Sequence, residues 1–156
     1  MNYTDWGVTV KEIPEEISLY HVIAGCPNQC TNCHSQYTWN PNAGKELTIP
    51  VLDRHIRSQL PGVSCILFMG GDWNPEFLEY LLLYVRQNFD CRTALYSGQD
   101  LAYLRSSDLL YLCDFVKTGR YEESLGGLND PRTNQRLYAL ENGLVKEDIT
   151  YKFWEK

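Results

Sequence analysis

Apolar positions along this chain fall into short runs of β-branched and aromatic residues, separated by stretches with helical period. Ile17 to Gly25 (ISLYHVIAG) is rich in β-formers and predicts a buried strand that delivers Cys26 to a loop at its C-terminal end. After the turn-rich connector Asn40-Pro41-Asn42-Ala43-Gly44, residues Val51, Leu52, Ile56 and Leu60 share one helical face. A helix is therefore expected from Ile49 to Leu60, with Pro50 in its first turn and Pro61-Gly62 ending it. The same sequence of elements then recurs. Ser64 to Met69 reads as a strand, Gly70-Gly71-Asp72 as a loop, and Pro75 to Asn88 as a core helix carrying Phe77, Leu78, Leu81, Leu82 and Val85.

A third strand, Cys91 to Tyr96, leads to Ser97-Gly98-Gln99-Asp100 and a short helical piece at Leu101 to Ser106. A fourth, Leu110 to Lys117, leads to a long loop rich in Gly, Asn, Asp and Pro, followed by extended segments at Arg136 to Leu140 and Ile149 to Trp154. Alternating strands and helices imply an α/β fold with a mostly parallel sheet. About four βα units are too few for a closed eight-fold barrel, so a partial, open βα barrel is expected, as a single domain over residues 1–156. In parallel α/β structures ligands sit at the C-terminal ends of strands. The cysteine loop, the Gly-Gly-Asp loop and the Ser-Gly loop all follow strands and should share one site.

Composition narrows the functional classes. The chain is 44% hydrophobic and 22% charged, which suits a globular domain that buries its own core. Fourteen Lys plus Arg against twenty Asp plus Glu leave a formal charge of -6, which gives no basic field for nucleic acid or anionic lipid. The apolar runs are far shorter than the ~20 residues a membrane span needs. Six cysteines are too sparse for a small disulfide framework, and the N-terminal segment has no basic stretch leading into an apolar run, so a reducing cytoplasm is the expected setting.

Those six divide into two groups. Cys65, Cys91 and Cys113 stand alone in apolar runs and read as packing residues. Cys26, Cys30 and Cys33 form a C-x3-C-x2-C loop, which supplies three soft ligands to one small volume and points to zinc or an iron–sulfur cluster. Structural zinc and purely electron-transferring clusters usually take four protein ligands, so three leave one metal position open for a substrate or cofactor. The competing reading is a non-catalytic zinc-binding adaptor that completes its site with His34 or His21. Of the remaining histidines, His21 reads as a strand residue and His55 as a helix-surface residue.

The run Gly25-Cys26-Pro27-Asn28-Gln29-Cys30-Thr31-Asn32-Cys33-His34, followed by Tyr37-Thr38-Trp39-Asn40, resembles the signature of radical S-adenosylmethionine (SAM) enzymes. More narrowly it is similar to the activating proteins of anaerobic ribonucleoside-triphosphate reductase. Gly70-Gly71-Asp72 resembles that family's Gly-Gly-Asp/Glu loop, and Tyr96-Ser97-Gly98 its Tyr-Thr-Gly segment. Asp114 to Tyr121 and Asn134-Gln135-Arg136 resemble its C-terminal elements. The chain departs from the pattern at Ile13 to Ile17, where a Gly-Pro-Gly-like element is usual, at Asn32, at Trp73, and in the loop Tyr121 to Thr133.

The resemblance implies an oxidoreductase, a radical SAM glycyl-radical activase. Cys26, Cys30 and Cys33 would hold a [4Fe–4S] cluster, and SAM would chelate its fourth iron. Reduced flavodoxin or ferredoxin would supply an electron, and a 5′-deoxyadenosyl radical would abstract hydrogen from a glycine of the reductase's large subunit. Gly70 and Gly71 would let the backbone approach the methionine end of SAM, with Asp72 at its ammonium. Asn32, Cys33 and His34 would lie toward the adenine as neighbours, and Ser97 and Gly98 would complete the cofactor site. Activation of another glycyl-radical enzyme is the alternative within the same chemistry.

Overall fold

A computed structural model describes residues 1–155. Eight strands form one sheet: β1 (Asn2–Thr9), β2 (Ser18–Ile23), β3 (Lys45–Glu46), β4 (Cys65–Met69), β5 (Arg92–Tyr96), β6 (Phe115–Thr118), β7 (Arg136–Glu141) and β8 (Leu144–Asp148), in the order β3-β1-β2-β4-β5-β6-β7-β8. Three helices accompany them: α1 (Ile49–Gln59), α2 (Pro75–Asn88) and α3 (Leu101–Leu104). Among the described residues no helix is long and apolar enough to cross a membrane.

The expected mostly parallel, partial βα barrel is overturned. The sheet is mixed: β1 pairs antiparallel with both β2 and β3, β6 with β7, and β7 with β8, while β2, β4, β5 and β6 run parallel in the middle. The physical reason lies in the connections, because each parallel neighbour needs a crossover and a helix is the usual one. Only α1 and α2 are crossover helices of ordinary length, since α3 spans one turn, and the loop after β6 returns the chain as an antiparallel neighbour. Two further segments differ from expectation. Leu109–Leu112 is a 3-10 turn rather than the start of β6, and Thr150–Phe153 is a 3-10 turn rather than an extended segment.

Helices cover one face of the sheet only. Ile66 and Phe68 of β4, with Leu19, Leu95 and Val116 from the neighbouring strands, pack against Leu52 and Ile56 of α1 and Leu78, Leu81, Leu82 and Val85 of α2. Cys65 and Leu67 alternate to the other face, where they join Ala94 and Leu137 of the sheet in a second cluster with Ile13 and Ile149. The Thr48 hydroxyl accepts the Val51 amide at 3.3 Å and starts α1, with Pro50 in the first turn. At the sheet's outer border, β8 is exposed over nearly its whole length.

His55 corrects another expectation. It is buried rather than on the helix surface, 2.9 Å from His21 of β2 through their ring nitrogens. The Trp6 ring stacks on His55 at 3.8 Å, and Tyr3 stands edge-on to both imidazoles. Burial holds His21 neutral, down to about 3, with the nearby His55 adding to the shift, and burial also lowers His55.

Candidate functional site

The three loops singled out by the sequence meet at the C-terminal ends of β2, β4 and β5. They enclose a cavity of about 610 Å³ whose lining includes Cys26, Cys30, Cys33, Asp72, Ser97 and Lys117. That volume falls within the range of small-molecule and cofactor sites. β2 ends at Ile23, and the Gly25 amide then bonds to the Thr38 carbonyl, which closes the base of the cysteine loop. Gly70, at φ +96°, turns the chain out of β4, and a Cβ there would stand 2.7 Å from the Trp73 ring.

Asn28 clips the cysteine loop to the Ser-Gly loop. Its Oδ1 accepts from Gln99 Nε2 at 3.1 Å, and its backbone carbonyl accepts from Arg120 at 2.7 Å. A Cβ on Gly98 would lie 2.0 Å from Asn28 Nδ2, so a side chain there would force the Asn28 amide to shift. Within the cysteine loop, the Cys33 amide bonds to the Cys30 carbonyl at 3.1 Å and the Ser35 amide donates to Cys33 Sγ at 3.3 Å. Burial raises the Cys26 thiol most, opposed by the Asn28 backbone N–H, with Asp72 and the other two cysteines adding to the rise.

Asp72 is 4% exposed and does not cap α2, whose N-cap is Asn74. Burial raises its carboxyl, while a hydrogen bond from Ser97 and the charge of Lys117 pull it back down. Lys117 Nζ donates to the carbonyls of Ser97 at 3.3 Å and Gly119 at 3.2 Å, and lies 5.8 Å from the Tyr96 ring centre. Burial brings this ammonium down to about 8, against the pull of Cys30, Asp72, Cys26 and Cys33.

The structure therefore brings together Cys26, Cys30, Cys33, Gly70, Asp72, Ser97 and Gly98. It places four others elsewhere. Gly71 sits beside Met1 and Ile23. Asn32 is exposed and donates to the Glu123 carboxylate. His34 is exposed near Tyr121 and lines an adjoining groove instead, and His21 is tied to His55 in the core. Cys65 and Cys113 are buried in the core, and Cys91 lies at the opposite ends of the strands, beside Arg92 and Val63. Sequence reasoning passed over Asn28 and Lys117. A lysine inside the otherwise buried strand Phe115-Val116-Lys117-Thr118 was the available signal, since a cation in such a place needs a reason.

Among the described residues no three His, Cys, Asp or Glu side chains close around a single point as one metal ion requires. A four-iron cluster makes a different demand, because each thiolate binds its own corner iron around a shared space. Three thiols lining one cavity, beside a desolvated ammonium, fit that group.

A family model described as a 4Fe-4S single cluster domain matches residues 15–138, and the chain belongs to that family. It is thus a [4Fe–4S] cluster-binding domain, a cofactor compatible with redox activity. No curated protein and no solved structure matches the chain significantly.

Proposed function

We propose that the chain is a radical SAM activase that installs a glycyl radical on the large subunit of anaerobic ribonucleoside-triphosphate reductase, with reduced flavodoxin or ferredoxin as electron donor. The carrying observation is the separation of the six cysteines. Only Cys26, Cys30 and Cys33 line the cavity, so a cluster there has three cysteine ligands and one iron without one. Cys26, Cys30 and Cys33 would hold the cluster, which would supply one-electron reduction of the SAM sulfonium to methionine and a 5′-deoxyadenosyl radical able to take hydrogen from a glycine Cα.

The chain's own part is to bind, orient and shield. Gly70 leaves room for backbone approach to the methionine end, and Asp72 receives its ammonium. Ser97 and Gly98 form the neighbouring wall, with Asn28 keeping the two loops in register. The strand ends and the three loops that line the cavity would surround the reacting carbon and keep other C–H bonds away.

The test is anaerobic reconstitution, then incubation with SAM, a reductant and the reductase. The expected result is a brown protein with about four irons per chain, 5′-deoxyadenosine as product, and a glycyl doublet in the electron paramagnetic resonance spectrum of the reductase. A colourless protein with stoichiometric zinc overturns the reading. Formation of 5′-deoxyadenosine with no doublet on this reductase keeps the chemistry and rejects the partner.

A further inference from the structure

We propose that Lys117 is the counter-charge of the cluster cavity, a half-buried cation whose field raises the reduction potential of the cluster and holds it against loss. The inference rests on the placement of the cluster among Cys26, Cys30 and Cys33. Lys117 lines the same cavity from β6, across from the cysteine loop. Its register partner on β5 is Tyr96, so the lysine stem is fixed by the sheet rather than by a mobile loop.

Two of its three N–H donors are spent on neutral carbonyls, those of Ser97 and Gly119. Its ammonium is absent from the ion pairs among the described residues. A desolvated ammonium without a carboxylate at contact distance is costly, because neutral carbonyls return only part of its lost hydration. An anion in the cavity offsets that cost. Three thiolates on a four-iron cluster leave a net negative body, and one-electron reduction makes it more negative still. A fixed positive charge stabilises the reduced state more than the oxidised one, and so raises the potential.

The experiment compares reconstituted wild type with Lys117→Met, Lys117→Gln and Lys117→Arg by potentiometric titration, with iron content read in parallel. The neutral variants should be harder to reduce by about tenfold in the reduction equilibrium, which is 59 mV for one electron. Lys117→Arg should stay near wild type. Unchanged potential in the methionine and glutamine variants, with full iron, overturns the proposal. Loss of iron from both neutral variants with retention in Lys117→Arg supports it, whereas loss from all three makes Lys117 a packing residue. Wild type that holds no cluster refutes the cluster placement instead, so the two failures are distinguishable.

Discussion

His21 and His55 share a buried hydrogen bond of 2.9 Å between a strand and a helix, and burial of the pair disfavours the protonated form of both rings. Because the His21 value falls from 6.5 unfolded to about 3 folded, the unfolded chain binds the extra proton between those limits. The stabilisation is therefore fully present above pH 6.5 and is lost as pH falls toward 3, at up to about 1.4 kcal/mol per pH unit. Thermal unfolding followed by circular dichroism should show a larger drop in Tm between pH 7.5 and 5.5 for wild type than for His21→Phe. Equal drops in both proteins would refute the role of the pair.

The contact between Gly98 and Asn28 should make Gly98 sensitive to substitution. Gly98→Ala places a methyl group on the Asn28 amide, displacing the clip to Gln99 and loosening the cysteine loop. Cluster retention under a chelator challenge should weaken by about 10- to 100-fold, as it does when partners beyond the ligands are lost. Retention equal to wild type would show that Asn28 can move without consequence.

Among the cysteines, the position in the fold separates two behaviours. Cys26→Ala, Cys30→Ala and Cys33→Ala should each lose SAM cleavage, while Cys65→Ala and Cys91→Ala should keep both iron and activity. Full cleavage in any of the first three variants refutes the ligand assignment.

Alkylation by iodoacetamide divides the three packing cysteines by burial. Burial pushes the Cys65 thiol up to about 12 and raises Cys113 as well, so at neutral pH both hold little thiolate. Mass spectrometry of the folded protein should find them unmodified while the partly exposed Cys91 reacts. Early modification of Cys65 would contradict its place in the core.

The parallel centre of the sheet was legible because each strand there is an apolar run bounded by turn residues, and α2 spans the expected Pro75–Asn88. The borders were not. β1 carries Asp5 and Gly7 within its run, and its pairing with β2 is a long-range contact that no local pattern reports. Missing β1 also hid His55, because the helix face that bears it is covered by Trp6 of that strand. At the other border the signal existed: Asn142-Gly143, both at positive φ, is the two-residue hairpin turn between β7 and β8. The three loops of the site were foreseen because unusual chemistry after a strand end stands out. Lys117 was overlooked because a single lysine in a strand has no spacing to betray it.

The exposed border strand β8 has a consequence for how the molecule meets others. Its Lys146, Glu147 and Asp148 place charges along this rim, while at the opposite border β3 is two residues long and pairs only with Asn2 and Tyr3 of β1. The charged β8 rim is a poor template for a foreign strand, so fibre growth and backbone addition are disfavoured at that border. Under the proposed function, the protein that offers its glycine would then be recognised through side chains around the loop end, and could leave again without unzipping a sheet.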